Sequence, residues 1–413
     1  MLKNISEKLF LFLIPLLFTF PLFRENISSF FFILLSVNTL AFTFYKKSYK
    51  NFDLKSLVYT IPFFVILLFV LIRGASSEGF KHVNHSLFFL LFPIIFSLLP
   101  KEYFTKEKIN FYFTILKNSC FIIAFGFVIA FLVKYDFKDF FVFKYGVPKF
   151  RDFVYYEIPF FKIHPTYYTS IVLFCTAFSF KKVLDEKKYS ELIYVFVFIV
   201  ITLLLLSKIN IIFLGIMLIA MLLFFSPYTF KQKIAALSIF LILGVSLALL
   251  TPGVKNRFKE MYNSYNNPPT GLAYDSTNVR VSITKCSVEI AKENYLFGVG
   301  FDNLEEALSE CFKSNYNSSF YENHNYLTHN YFSYILLSTG IFGFLLFLFY
   351  CFTVAKKVIR INRFLLSIAV INVFFVCLTE DYFYRHYGLF YFSLILMTYI
   401  NYSKYLALNK THK

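Results

Sequence analysis

Uninterrupted apolar runs constrain this chain more than any other feature. Stretches such as "LFLFLIPLLFTFPLF" (residues 9–23), "IPFFVILLFVLI" (61–72) and "IFGFLLFLFYCFTVA" (341–355) carry no charge. Runs of about 17 or more apolar residues read as helices that cross a bilayer. Barrel strands cross it too, but they alternate apolar and polar residues over about ten positions. The runs here do not alternate, and they sit in low-charge segments up to roughly twice that long, so the prediction is an all-α, polytopic membrane protein. Composition agrees: of 413 residues 61 are Phe and 31 Tyr, and 58% are hydrophobic, more apolar surface than a soluble domain of this size needs. The first run follows Lys3 and Lys8, as in a secretion signal. No small-residue cleavage site follows it, so it is read as a retained helix.

Twelve spans are predicted, near residues 8–23, 27–45, 54–72, 84–100, 112–133, 164–180, 190–206, 209–225, 234–250, 330–350, 364–379 and 387–402. Their connectors alternate in charge. "KKSYKNFDLK", "PKEYFTKEK", "KKVLDEKK", "SPYTFKQK" and "KKVIRINR" are basic, while "RENIS", "RGASSEGFKHVNH", "SK" and "EDYFYRH" are far less so. Lys and Arg in short loops mark the cytoplasmic side. That rule places both termini and the tail residues Lys404, Lys410 and Lys413 in the cytoplasm, with segments 134–163 and 251–329 on the other face. Much of the net charge of +17 is then an orientation signal, and nucleic acid is not needed to explain it. The predicted organisation is nine spans over 1–250, a large extramembrane subdomain over 251–329, and three spans with the tail over 330–413. Within the subdomain, "NNPPTG" signals a turn. "VRVSITKCSVEIAKENYLFGVG" and "FDNLEEALSECFK" have the apolar spacing of short amphipathic helices.

Polar chemistry collects on the outer side. Six of the seven histidines (His82, His85, His164, His324, His329 and His386) map to outer loops or helix ends, with Arg73, Lys208, Arg280, Glu380 and Arg385. Cytoplasmic loops are equally polar, so a general preference of polar residues for loops does not explain this one-sidedness. Lys208, in "LLLLSKINII", is either a snorkelling lysine or a cation facing an anion such as a diphosphate. "LTEDYFYRHYG" brings four ionisable groups into seven residues, which suits a solvated turn or a wall of a polar cavity. His324 and His329, in "NHNYLTHNYF", are five apart and so do not share a helical face. No metal motif, phosphate loop or paired carboxylates for a nucleotide-sugar metal is present, and no cofactor is implied. Cys286 and Cys311 share the large loop; a disulfide between them and two separate thiols both fit the sequence.

Several of these stretches together resemble the bacterial O-antigen ligase and polymerase superfamily. The family pattern is an Arg, a helix, a Gly-x-Gly turn, then His-Asn followed eleven residues later by a Gly-x-x-Gly. Here it is matched by Arg280, Gly298 with Gly300, His329-Asn330, and Gly340 with Gly343. "KIHPTYYTSIVLF", "LLLLSKINIIFLGI" and "LTEDYFYRHYGLFYF" are similar to further family segments. The chain departs from the pattern at Lys208, where Arg is frequent, at Thr284-Lys285, where Trp is, and at Tyr295, where Pro commonly precedes the Gly-x-Gly.

The resemblance implies a GT-C-like helical bundle with a large periplasmic loop, in the bacterial inner membrane. It implies metal-independent transfer of a glycan from undecaprenyl diphosphate on the periplasmic face. Ligases deliver the glycan to lipid A-core and polymerases to another lipid-linked repeat unit; the ligase is the first expectation. Expected catalytic residues are His329, as base or phosphate donor, and Glu380. Lys208, Arg280, Arg73 and Arg385 are expected at the diphosphate, with His324, Asn330 and His164 accessory. A polysaccharide transporter or flippase is the alternative of a different class. Paired Gly/Pro helix breaks and midplane charges, which would favour it, are not evident, and Lys117 is the main intramembrane charge.

Overall fold

A computed structural model of the chain describes residues 2–47, 52–144, 147–158, 163–225, 229–235, 277–316, 318–323 and 326–411, with scattered positions between 238 and 264. Most of the ninth predicted span, the "NNPPTG" turn and His324 lie outside the described residues.

The apolar runs form α1 (Leu2–Leu17), α2 (Glu25–Lys46) and α3 (Ile61–Ile72), the polar stretch after α3 forms α4 (Ser77–His85), and further apolar runs form α5 (Leu87–Leu98) and α6 (Lys106–Lys134). Then come α7 (Pro165–Glu186), α8 (Glu191–Leu204) and α9 (Lys208–Phe225). The large loop contributes α10 (Asn278–Glu293) and α11 (Leu304–Asn315). The chain closes with α12 (Tyr331–Ile361), α13 (Phe364–Cys377) and α14 (His386–Thr411). Five helical stretches are long and apolar enough to cross a membrane: Glu25–Lys46, Leu54–Ile72, Ser77–Leu98, Lys106–Lys134 and Tyr331–Ile361. Glu191–Leu204, Lys208–Phe224 and Phe364–Cys377 are shorter apolar helices. The protein is an all-α membrane protein. A two-residue hairpin, Phe143–Lys144 with Val147–Pro148, is the β structure among the described residues. The first span differs from its predicted range 8–23: α1 ends at Leu17, and Phe20–Leu22 form a separate 3-10 turn with Pro21 in its first positions. Proline lacks the N–H that would continue the helix, so the chain restarts there.

The chain divides into two units: residues 1–18, 25–112 and 266–413 in the first, and 19–24 with 113–265 in the second. In the first unit α1 packs on α2, α5 on α14 and α3 on α12. Phe32 of α2 joins Phe92 (ring centroids 4.4 Å apart), Phe88 and Phe390 in its core. In the second unit α7 packs on α8 and α9. Every residue of α7 from Pro165 to Ser179 is buried, and none of them is charged; the hydroxyls of Thr169 and Thr176 are satisfied by carbonyls one turn back. Lys117 and Glu191 are buried together here: Nζ lies 2.8 Å from both carboxylate oxygens and 3.7 Å from the centre of the Tyr194 ring.

The two helices expected in the large loop are present and are joined by a Cys286–Cys311 disulfide, with Cα atoms 5.8 Å apart. The loop leaving α10 then meets α12 at a break. Gly340, at φ 62° and ψ −164°, interrupts α12 and leaves helical bonds unmade. Buried backbone groups need other partners, and the loop supplies them. The Val299 N–H donates to the Leu337 carbonyl (2.7 Å), and the Ile341 N–H donates to the Tyr295 carbonyl (2.8 Å). Gly298 and Gly340 make this splice sterically feasible. A Cβ on Gly298 would sit 2.3 Å from the Leu337 oxygen, and one on Gly340 2.2 Å from the Leu296 oxygen. Both positions also have positive φ, so backbone angle and space independently require glycine.

Candidate active site

In the first unit the turn before α12, the turn after α13 and helix α10 bring three of the expected residues together. His329 is two residues before α12, in the left-handed region at φ 45°. Such a backbone in a non-glycine residue costs about 1–3 kcal/mol and persists only where its surroundings hold it. Two groups hold it here. The His329 N–H donates to Asp381 Oδ2 (3.0 Å), and the neighbouring Thr328 hydroxyl donates to Asp381 Oδ1 (2.6 Å). Asn330 is the N-cap of α12: its side-chain oxygen accepts from the N–H groups of Phe332 (3.0 Å) and Ser333 (3.2 Å). The His-Asn pair thus separates into a histidine projected from a constrained turn and an asparagine that starts the helix.

Glu380 lies between two basic side chains. Arg280 donates through Nη2 to Glu380 Oε1 at 3.0 Å, and His329 Nδ1 lies 3.4 Å from Glu380 Oε2. The imidazole nitrogen is within ion-pair range but outside hydrogen-bond geometry. Glu380 is 13% exposed, whereas His329 is 33% and Arg280 41% exposed. The carboxylate is therefore sheltered while both bases reach solvent. Asp381, next to it, is buried, and burial pushes its carboxyl above the ordinary carboxylate range.

The other expected residues have different surroundings. Arg73, the C-cap of α3, donates from Nη2 to the Gly298 carbonyl in the splice. Arg385 is exposed beside the Tyr384 ring, 5.8 Å from its centre. In the second unit Lys208 is the first residue of α9, after the left-handed Leu206. Arg151 holds that turn, donating through Nη1 to the carbonyls of Leu205 (2.7 Å) and Leu206 (3.0 Å). His164 is the N-cap of α7, its Nδ1 accepting from the Thr166 N–H at 3.2 Å. Among the described residues no group of three or more His, Cys, Asp or Glu side chains is arranged to hold a metal ion.

The contacts of Asp381, Thr328 and Arg151 are set by the fold and have little signal in the sequence. Asp381 had one signal, its position beside Glu380; the turn that Arg151 holds is formed by residues far from it in sequence.

These features define an integral membrane protein with a histidine–carboxylate–arginine cluster at the start of a broken helix. Residues 193–348 match the family model described as O-Antigen ligase, which supports the resemblance to that superfamily. The match spans Lys208, Arg280, Gly298, His329 and Gly340 and stops short of Glu380 and Asp381. No curated protein matches the chain.

Proposed function

We propose that the chain is a membrane glycosyltransferase that moves a glycan from undecaprenyl diphosphate to an acceptor sugar, acting as an O-antigen ligase with lipid A-core as acceptor. The observation that carries this reading is the division of Glu380 between His329 and Arg280. An imidazole whose Nδ1–H faces a carboxylate keeps the lone pair on Nε2, which suits it to accept a proton. In this reading Nε2 of His329 takes the proton from an acceptor hydroxyl as that oxygen attacks the anomeric carbon. Glu380 stabilises the imidazolium that forms. The glycosidic bond to the diphosphate breaks, and the departing oxygen gains negative charge. Arg280, with its fork of donors, stabilises that charge. Lys208 and Arg385 are proposed as further cations at the diphosphate, and His324 and His164 as accessory contacts. Twelve spans, cytoplasmic termini and a periplasmic site in the bacterial inner membrane belong to the same proposal. No step is assigned to a metal.

The test uses purified protein with a lipid diphosphate-linked glycan and lipid A-core. Glycan attached to the core is the expected product. Lengthened lipid-linked glycan would instead identify a polymerase, and passage of the substrate across vesicles without transfer would identify a transporter. His329→Ala and Arg280→Ala are each expected to lower transfer about a hundredfold or more. Unchanged transfer in either variant would overturn the site.

A further inference from the structure

We propose that Arg73 is a positioning residue, which clamps the Gly298–Gly340 splice and so holds the helix of Arg280 in register with the helix that begins after His329. The role in transfer rests on the functional reading above; the clamp itself rests on the geometry.

Three observations point to it. First, the guanidinium donates to the carbonyl of Gly298. The next amide, that of Val299, makes one of the two splice bonds. A charged donor on a carbonyl is roughly twice as strong as a neutral one, so Arg73 fixes that peptide unit from the side opposite α12's carbonyl. Second, the arginine stem covers the same loop: a Cβ on Gly300 would lie 3.5 Å from Arg73 Cγ and 3.7 Å from Cδ. Third, the turn after α3 grips the loop again, where the Ser76 hydroxyl donates to Asp302 Oδ2 at 3.2 Å. That turn passes through two left-handed residues, Gly74 (φ 98°) and Ala75 (φ 56°), which bring Arg73 and Ser76 to the same stretch.

The splice has consequences at the cluster. Arg280 and Cys286 are on α10, whose exit is the spliced loop. His329 leads into the half of α12 that ends at Gly340. Two backbone bonds at one end of this pair of helices therefore set the spacing of the two bases at the other. A misplacement of about 1 Å at a reacting group costs on the order of a hundredfold in rate, so loosening the clamp acts on turnover more than on binding.

The experiment compares wild type, Arg73→Ala and Arg73→Lys as full-length purified protein. Hydrogen exchange is followed at the amides of Val299 and Ile341, and transfer kinetics with and without inorganic diphosphate as competitor. Arg73→Ala is expected to speed exchange at both amides about tenfold or more while α14 is unchanged. It is expected to lower kcat about ten- to a hundredfold, leaving KM for the lipid-linked donor and inhibition by diphosphate within about twofold. Arg73→Lys keeps a donor for one carbonyl and is expected to recover part of both effects. Unchanged exchange at Val299 and Ile341, in Arg73→Ala or in a folded Arg73→Lys, overturns the proposal. So does a raised KM with weakened diphosphate inhibition, which would make Arg73 a ligand of the leaving group. Faster exchange in a protein that transfers no glycan even as wild type would uphold the clamp and reject the functional reading.

Discussion

Two carboxylates in this protein meet two cationic or basic groups each, with opposite results. Glu191, in the second unit, gives both oxygens to Lys117 at 2.8 Å, and Lys182 stands 3.9 Å away. Lys117 is 3% exposed, and its ammonium also rests on the Tyr194 ring. Glu380, in the first unit, gives one oxygen to Arg280 and the other to His329, and both partners keep a third or more of their surface exposed. The Glu191 pair is closed, with each charge spent on the other. The Glu380 cluster is open, and its bases remain presentable to a substrate. The contrast teaches that a charge in a membrane protein signals function by what it still faces, and burial alone is a poor guide.

The largest effect expected from this contrast is on stability. Lys117→Ala leaves Glu191 as a buried charge without its main partner, which costs about 3–5 kcal/mol. The double variant Lys117→Met/Glu191→Leu removes both charges and is expected to recover most of that loss. Thermal unfolding in detergent measures both. Transfer per folded molecule is expected to stay within about twofold in the double variant, because this pair is read as structural. A stable Lys117→Ala protein that transfers no glycan would break the comparison and move the pair into the mechanism.

Glu380→Gln tests the other side. The amide keeps an acceptor for Arg280 but loses the charge that would stabilise a histidine imidazolium. Transfer is expected to fall about ten- to a hundredfold, with stability changed by less than about 1 kcal/mol because Arg280 is substantially exposed. A large drop in unfolding temperature with normal transfer would make Glu380 another structural partner.

How much of this was legible in the sequence follows from the range of the interactions. The spans announce themselves through continuous apolar runs, and α10 and α11 through their apolar spacing, because both patterns are local. The His329–Gly340 interval is legible in the sequence as a pattern, but its physical reason is not. The reason is a contact between Gly340 and the loop at Leu296, more than forty residues earlier in the chain. Arg73 read as an outer cation, and nothing local ties it to the Gly298 carbonyl, 225 positions away. Asp381 looked like one more charge in a polar turn, because its burial depends on Thr328 and on the packing of α12 with α13. The asparagine of His-Asn read as an accessory contact, although a helix cap was the local interpretation open to it.

The smallest effect sharpens the comparison within the open cluster, by separating Asp381 from Glu380. Asp381 accepts from Thr328 and from the backbone of His329, bonds that favour its ionised form, yet burial outweighs them and raises its folded-state value. A folded protein that holds the proton more tightly than the unfolded chain gains stability below the unfolded-state value, near pH ~4. It loses that gain as pH rises through the raised folded-state value. Asp381→Asn cannot titrate and keeps one side-chain oxygen for the two donors, so it is expected to be less stable by about 1 kcal/mol at low pH. The gap to wild type is then expected to narrow as pH rises from about 4. Unfolding midpoints of the two proteins across that window measure it. A gap that widens with pH would mean that the bonds from Thr328 and His329 outweigh burial and that Asp381 is ionised in the folded protein. The left-handed His329 turn would then be held by a full negative charge, and the open cluster would contain two anions beside one imidazole.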